Sequence, residues 1–212
     1  MKLLATIFIA IAMYARVTTA QEQLPPSEAQ IREWIEQLAN SSEPVKHSTP
    51  SDRLSKEERK SLEPVREAFR QLTRHFRASL PLLVEHLNDK RFSYPRKHPT
   101  SGVFYDQTVG DACHAIIRGK VLLTGVSLID DRNIGVWVEL PFNKDWYQDV
   151  SNMSLYEMQV DAIDRLLKHP KLERVPQKEW DDELKKVKKF RDEFVRKGDA
   201  VDRTFGPSIE GK

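Results

Sequence analysis

Apolar residues recur three or four positions apart along most of this chain, which is the pattern of helices with one buried face. Several of these stripes follow a Ser or Thr that has an acid or Gln three residues later, and this capping-box pattern marks a helix start. The residues concerned are Ser27, Ser55, Thr108 and Ser154. The pattern predicts an all-α fold with helices that begin near these four residues.

The boundaries between the first helices are set by proline and by short polar joints. A tight joint at residues 77–78 is predicted to end one helix before Ser79 caps the next. Pro64 suits the first turn of a helix, but a proline can also kink a longer one. The pattern therefore leaves open whether residues 55–76 form one kinked helix or two.

The C-terminal part of the chain is predicted to hold further helices over residues 154–197. The last of them is predicted to begin near Pro176 and to end at Gly198. Acids cluster in its first turns and bases in its last turns, which is the order that the helix dipole favours. Beyond this helix, residues 201–212 are predicted to form a flexible tail.

Residues 126–150 are the hardest segment to assign. Residues 134–142 show a short strand-like alternation, but an isolated strand in a helical protein would have no partner. Aromatic residues recur through the segment, and Phe142 and Trp146 are among them. We therefore predict an ordered loop that packs on the helices through its aromatic side chains.

Two parts of the chain echo one another. Residues 31–40 form an apolar helix that is followed by an insert and then by residues 63–69, which read EPVREAF. Residues 80–89, which read LPLLVEHLND, are followed in the same way by an insert and by residues 108–113. Each second helix opens with a Val and places Ala three residues later. Such self-similar helix pairs indicate stacked helical hairpins.

The paired segments resemble HEAT repeats, which are stacked two-helix units with a Val-Arg pair at the opening of the second helix. LPLLVEHLND is similar to a first helix with its Asn-Asp exit, and EPVREAF is similar to the opening of a second helix. The resemblance covers residues 27–122, about two units. The chain departs from the family at Gly110, which stands where the Arg would be, and in its two long inserts.

This resemblance implies a fold of stacked antiparallel helical hairpins, in the manner of an α-α superhelix, with long inserts. An irregular α-helical bundle is the alternative, because it would produce some of the same spacing. Stacked-hairpin proteins usually present surfaces to other molecules rather than perform chemistry. The whole of residues 21–200 is predicted to form a single helical domain.

Residues 1–20 have the layout of a secretory signal peptide. Lys2 precedes an apolar run over residues 3–15, and small residues offer a cleavage site after Ala20. The run is too short for an ordinary membrane span, and no later run is apolar enough for one. We therefore expect an exported protein, either periplasmic, attached to the cell envelope or secreted, without an integral membrane span in the mature chain.

Charge and cysteine content narrow the functional classes. The chain has 34 Lys and Arg against 32 Asp and Glu, and loss of residues 1–20 would leave 32 bases facing 32 acids. A neutral mature chain gives no support for a nucleic-acid partner. The single Cys113 cannot form an internal disulfide, and it lies on an apolar stripe. It is therefore predicted to be a core residue rather than a nucleophile.

The two inserts are the predicted binding surface. Residues 41–62 and 90–107 occupy equivalent places in the two units, so we expect them to leave one edge of the stack as neighbours. The second insert mixes aromatic rings with cations, a composition suited to gripping a partner. Its candidate binding residues are Arg91, Tyr94, Arg96, His98 and Tyr105. A competing interpretation, in which the aromatic residues of this insert only pin it to the helices, stays open.

Catalytic chemistry has little support in the sequence. Phosphate-loop, zinc-protease, Cys-x-x-Cys and Gly-x-Ser-x-Gly patterns do not occur. Asp111 and His114 share a helix face and could begin a metal site, but the sequence identifies no further ligand. The predicted last helix contains a basic run, Lys185, Lys186, Lys188, Lys189 and Arg191. The same helix also carries acids, which favours a solvated helix face over an anionic-lipid site.

These observations lead to two functional hypotheses. The first is an exported, non-enzymatic helical scaffold that needs no cofactor and binds a protein or a cell-envelope component. The second is a secreted or periplasmic hydrolase or metal-dependent enzyme of unfamiliar type. Its site would use Asp111, His114 and polar residues of the insert over residues 90–107. The sequence leaves the specific partner and the oligomeric state open.

Overall fold

The computed structural model describes residues 25–41, 53–97, 104–122, 142–173 and 175–207. Several predictions concern residues outside these ranges and stay predictions. They are the signal peptide over residues 1–20, residues 42–52 of the first insert, the role of His98, residues 126–141 of the predicted loop, and residues 208–212 of the predicted tail.

The described residues are mostly helical, as predicted, with one small sheet. The helices are α1 Glu28–Leu38, α2 Lys56–Ser61, α3 Glu63–Arg74, α4 Phe76–Glu85, α5 Val109–Val121, α6 Lys144–Val150, α7 Leu155–Leu167 and α8 Gln177–Lys197. The strands are β1 Phe92–Lys97 and β2 Phe104–Thr108, and they lie between α4 and α5 in the chain. Within these ranges, no helix combines the length and the hydropathy that crossing a bilayer requires.

The predicted helix starts are confirmed at all four capping boxes. At Ser27, Ser55, Thr108 and Ser154 the hydroxyl accepts a hydrogen bond from the backbone N–H three residues on. The side chain of that third residue accepts in turn from the N–H of the cap residue. The predicted end of the last helix is also confirmed, since Gly198 caps α8 with a φ of 74°. These features were predictable because their bonds connect residues a single turn apart.

The structure answers one open question about the helix joints and corrects one predicted joint. Residues 55–76 form two helices, because Leu62 separates α2 from α3. The break between α3 and α4 lies at His75, where ψ of 35° leaves the helical range, and not at residues 77–78. Ser79 is therefore a buried residue inside α4 and does not cap it.

The all-α prediction is wrong at the second insert, which forms an antiparallel β-hairpin. Its strands pair from Phe92 opposite Thr108 to Lys97 opposite Phe104, with a register shift just after Phe92. Tyr94 and Phe104, one on each strand, are both buried. Burial of these rings stabilises a two-stranded sheet that would be marginal alone.

Part of the predicted ordered loop is also helical. Asn143 begins α6, because its side-chain oxygen accepts a hydrogen bond of 2.9 Å from the backbone N–H of Trp146. Trp146 and Val150 are one turn apart and both buried. The ring of Phe142 meets that of Trp146 edge to face at 4.9 Å between centroids. The loop prediction is therefore wrong for Lys144–Val150, while the predicted packing of the segment on the helices through its aromatic side chains stays a prediction.

The helix α5 lies at the centre of the packing. It contacts α3, α4 and α7, while α1 packs on α3 and α4, and α8 packs on α7. Cys113 of α5 is fully buried, as predicted, and this burial raises the pKa of its thiol to about 12. The echoed pairs, α1 with α3 and α4 with α5, do lie in contact. A generic bundle would show such contacts too, so the HEAT-like arrangement stays a prediction.

Candidate functional site

Four of the five binding residues predicted in the second insert are described, and they form two pairs. Arg91 and Tyr94 make contacts within the protein that hold the insert in place. Arg96 and Tyr105 are exposed, and Tyr105 retains 39% of its accessible surface. The fifth residue, His98, lies outside the described residues. Binding of a partner by this set stays a prediction.

Arg91 is the centre of a charge cluster that links α1 to the turn after α4. Its guanidinium donates to the carboxylate of Glu36 at 2.5 Å and to that of Asp89 at 2.6 Å. These bonds from Arg91 hold the pKa of Asp89 at about 2 and also lower the pKa of Glu36. The two carboxylates raise the pKa of Arg91 in return. The guanidinium of Arg91 therefore has a structural role, since it connects α1 to the turn after α4.

Tyr94 belongs to the core rather than to the surface. It is 2% exposed, and its ring meets that of Phe69 edge to face at 6.5 Å between centroids. Burial raises the pKa of its phenol to about 12. For Tyr94, the interpretation that aromatic residues pin the insert to the helices is therefore supported.

The beginnings of the two inserts lie side by side. The backbone N–H of Asn40, at the end of α1, donates to the carbonyl of Phe92 at 2.9 Å. This bond places Asn40, the second residue after α1, against the first residue of β1. The middle of the first insert lies outside the described residues, so the rest of the predicted common edge is not tested.

Asp111 and His114 both make contacts with other residues of the protein. A carboxylate oxygen of Asp111 accepts hydrogen bonds from the backbone N–H and the hydroxyl of Thr108 at 2.8 and 2.9 Å. The ring of His114 meets that of Phe142 edge to face at 5.6 Å between centroids. Within the described ranges, no three His, Cys, Asp or Glu side chains are arranged to hold a metal ion. The described residues therefore offer no assembled set of metal ligands for the enzyme hypothesis.

A cleft that the sequence did not predict lies between α8, the end of α5 and the segment that follows α8. Its volume is about 720 Å³. The apolar side chains in its wall are Leu122, Phe190, Phe194, Val201 and Phe205. The charged side chains in its wall are Glu193, Lys197, Asp199 and Arg203, and all four are exposed residues. The cleft therefore combines an apolar interior with charges of both signs towards the solvent.

Residues 199–207, which we call the strap, form one wall of this cleft, and Gln159 of α7 holds it. The backbone N–H of Val201 donates to the side-chain oxygen of Gln159 at 3.1 Å. The side-chain amide of Gln159 donates to the carbonyls of Val201 at 2.9 Å and of Lys120 at 2.8 Å. Gln159 is fully buried. Its side chain supplies the hydrogen-bond partners that the buried backbone of Val201 requires, as a neighbouring strand would do in a sheet.

A second attachment of the strap is an ion pair. The ammonium group of Lys120 donates to the carboxylate of Asp202. The side chain of Lys120 is only 1% exposed, whereas that of Asp202 is 65% exposed. A buried ammonium without a partner is costly, so Asp202 compensates a charge that α5 carries into the interior.

The third attachment is the ring of Phe205, which lies over Gly119 of α5. A Cβ atom on Gly119 would come within 2.1 Å of the Cζ atom of this ring, so the glycine leaves the space that the ring fills. The same ring meets Phe69 edge to face at 5.7 Å between centroids. The flexible tail predicted over residues 201–212 stays a prediction about motion, but its described part makes these contacts.

The opposite wall of the cleft is an aromatic face of α8. The rings of Phe190 and Phe194 stack at 6.2 Å between centroids with 8° between their planes. Tyr156 of α7 packs on Phe194 from behind, and its hydroxyl donates to the carbonyl of Val195 at 3.4 Å. The lining has no His, Cys or Ser among its described residues. This arrangement is suited to binding an apolar group.

The sequence contained two signals of this site that pattern analysis missed. Lys120 occupies a position on the buried side of α5, and Gly119 interrupts the same helix next to it. A buried lysine requires a partner, and a helical glycine often marks a close approach. Neither signal says which distant residue supplies the contact.

Comparison of the chain with protein-family models, with curated proteins and with solved structures found no match in any of the three.

Proposed function

We propose that this chain is an exported helical binding protein whose cleft receives the acyl chain of a cell-envelope lipid. The observation that carries the proposal is the cleft of about 720 Å³ with its phenylalanine walls. Sites for small molecules span roughly 300–1,000 Å³ and are mostly apolar with a few polar groups. The cleft fits this description in both size and lining.

The energetics favour a long apolar chain over a compact polar ligand. Each CH₂ group moved from water into such a lining contributes about 0.8 kcal/mol. The rings of Phe190, Phe194 and Phe205 offer several apolar surfaces for such groups. Charges of both signs line the solvent side, so a polar head group would find hydrogen-bond and ion-pair partners there.

Two sequence predictions are part of this proposal. Export depends on the signal peptide over residues 1–20 and on cleavage after Ala20. The HEAT-like arrangement of residues 27–122 would make the helical part a scaffold that presents the cleft. N-terminal sequencing of the exported protein should begin at Gln21, and retention of the first 20 residues would contradict the predicted export route.

The test of ligand binding uses the mature chain and a fluorescent fatty acid whose emission rises in apolar surroundings. We expect saturable binding, with displacement by unlabelled fatty acids that strengthens as their chain lengthens until the cleft is full. Ala200→Trp places an indole into the cleft from an exposed residue and should weaken binding at least about tenfold. Ala78→Trp is the matched control, because Ala78 is exposed on α4 and is not part of the cleft lining.

Two results would contradict the proposal. One is binding that never saturates and does not depend on chain length, since this is the behaviour of non-specific adsorption. The other is an equal loss of binding in Ala200→Trp and Ala78→Trp, since the cleft would then have no special part in it.

A protein partner at the hairpin is the second candidate function. Arg96 and Tyr105 are direct cross-strand neighbours, and both are exposed. An aromatic ring beside an arginine is a common composition of binding surfaces. A photo-cross-linker placed at Tyr105 in exporting cells should trap one discrete protein, and the same cross-linker at Ala78 should not. Identical products from both positions would remove this candidate.

A further inference from the structure

The exposed face of α8 carries a line of alternating charges. Among its 21 residues, only Trp180, Val187 and Phe194 are buried, so most of the helix is open to solvent. The charged residues of interest are Asp181, Lys185, Asp192 and Arg196, all of them exposed. Their spacing of 4, 7 and 4 residues keeps them on one side of the helix over roughly 22 Å.

The order of these charges is self-complementary, because the same helix turned end to end presents the opposite sign at each position. From the N-terminal end the signs run minus, plus, minus, plus, and from the C-terminal end they run plus, minus, plus, minus. A second α8 that lies antiparallel to the first, centred between Lys188 and Lys189, therefore meets opposite charges. Asp181 then faces Arg196 of the second copy, and Lys185 faces its Asp192.

We propose that α8 pairs with α8 of a second copy of this chain to form an antiparallel, two-fold symmetric dimer. A two-fold interface uses the same surface on both partners, so that surface must be complementary to itself. The charge line meets this requirement with two kinds of ion pair, each formed twice. The pairing does not depend on the ligand of the cleft, because these four residues lie on the opposite side of α8 from its buried residues.

The charges are free to exchange their present partners for new ones. Lys185 lies 3.2 Å from Asp182 in the same helix, and both side chains are more than half exposed. Asp192 lies 3.9 Å from Arg191, at the limit of an ion pair. Exposed pairs of this kind contribute little to folding, so their loss would not oppose association.

The dimer is expected to be weak. Exposed ion pairs are screened by salt and add little each, and one helix pair buries less area than the roughly 1,000 Å² of a durable interface. The lysines near the two-fold axis, Lys188 and Lys189, also repel their counterparts. Association should therefore depend on concentration over the micromolar to millimolar range.

Sedimentation velocity on the mature chain tests the proposal by charge exchange. Lys185→Asp places two acids opposite each other, and Asp192→Lys places two bases opposite each other. Each single variant should weaken association at least about tenfold, whereas the double variant restores the pairing and should return to within about threefold of the original chain. Lys186→Asp is the control, because it changes the net charge equally but lies about 100° around the helix from Lys185. Association of this variant should therefore be unchanged. Circular dichroism should show the same helicity throughout.

Two outcomes would overturn the dimer. If the original chain stays monomeric at every concentration, the charge line is only a solvated face of the helix. If the chain associates but the double variant does so no better than either single variant, association uses another surface.

Discussion

Near each end of α5, a glycine allows another segment of the chain to pack closely on the helix, but the two segments differ in kind. At the N-terminal end, a Cβ on Gly110 would lie 2.3 Å from the carbonyl oxygen of Leu87, and the Gly110 N–H donates to the Asp89 carbonyl at 2.9 Å. At the C-terminal end, Gly119 lies under the ring of Phe205. The first neighbour is the backbone of the turn that precedes the hairpin. The second is the end of a side chain on the distant strap.

This difference predicts that the two ends of α5 differ in stiffness. Backbone that is itself hydrogen-bonded cannot move aside without breaking several interactions, whereas a ring can rotate away. The turn at Leu87 is held by neighbouring helices, while ordering of the strap has its own entropy cost. We therefore expect the strap end to open at lower free energy than the turn end. The candidate cleft lies at the end that opens more easily.

The same comparison explains why a glycine occupies position 110. The approach of the Leu87 carbonyl to Gly110 leaves no space for any side chain. The close turn between α4 and the hairpin therefore requires glycine here.

The largest effect is expected for Gly110→Ala. The added methyl group would overlap backbone atoms of Leu87, and overpacking against atoms that cannot shift should lower the free energy of unfolding by about 3 kcal/mol. Urea unfolding followed by circular dichroism measures this change. Gly206→Ala is the control, since nothing lies within 4 Å of a Cβ at Gly206. Equal stability of the two variants would show that the turn end is not stiff.

The next largest effect is expected for Gln159→Leu at the strap end. This variant leaves the N–H and carbonyl of Val201 and the carbonyl of Lys120 without the amide partner, and we expect a loss of about 2 kcal/mol in the free energy of unfolding. Hydrogen exchange should accelerate at Val201 and leave the amides of α1 unchanged. Gln148→Leu, at an exposed residue of α6, is the control. Uniform acceleration across the chain would mean that the strap does not open separately.

Local bonds account for the part of the fold that the sequence could predict. The bonds of the capping boxes at Ser27, Ser55, Thr108 and Ser154 join residues three apart, so pattern alone identified them. The β-hairpin was missed because its stability depends on burial against distant parts of the chain, as when Tyr94 packs on Phe69 of α3. Short alternation cannot reveal such a partner.

The site was beyond prediction for the same reason. Gln159 bonds to Val201 across 42 residues, and Lys120 pairs with Asp202 across 82. Arg91 is of a residue type that is common in binding surfaces, but its guanidinium donates to Glu36, which lies 55 residues away in the chain. Residue type cannot distinguish a cation that binds a partner from one that joins two helices. That distinction depends on which carboxylate the fold brings near.

A smaller effect concerns acid stability at the turn end. Arg91 holds the pKa of Asp89 at about 2, below its usual value of 3.8, so the ionised form favours the folded state. This stabilisation is present above about pH 4 and is lost as the pH falls through about 2. Asp89→Asn should lower the free energy of unfolding by about 1 kcal/mol at pH 7.

The pH dependence distinguishes this ion-pair effect from a general loss of stability. The unfolding free energies of the original chain and of Asp89→Asn should approach each other between pH 4 and pH 2. Glu173→Gln, at an exposed residue between α7 and α8, is the control and should follow the original chain. A constant difference between Asp89→Asn and the original chain at all pH values would contradict the assigned charge effect.

The smallest net effect on stability is expected for Gly119→Ala, because two contributions oppose each other. Alanine favours the helix over glycine by about 1 kcal/mol, but its Cβ displaces the Phe205 ring from its contact with Phe69. The net change in the free energy of unfolding should stay below about 1 kcal/mol. Fatty-acid binding should weaken all the same, because the displaced ring is part of the cleft wall.

The double variant Gly119→Ala/Phe205→Ala separates these two contributions. Without the ring, Gly119→Ala has no clash left and should stabilise α5 by the full helix preference of about 1 kcal/mol. Phe205→Ala alone should reproduce the binding loss of Gly119→Ala, and combining them should add nothing further to that loss. If Gly119→Ala instead destabilised the protein as strongly as Gly110→Ala, the ring would be as immovable as backbone. The proposed difference between the two ends of α5 would then be wrong.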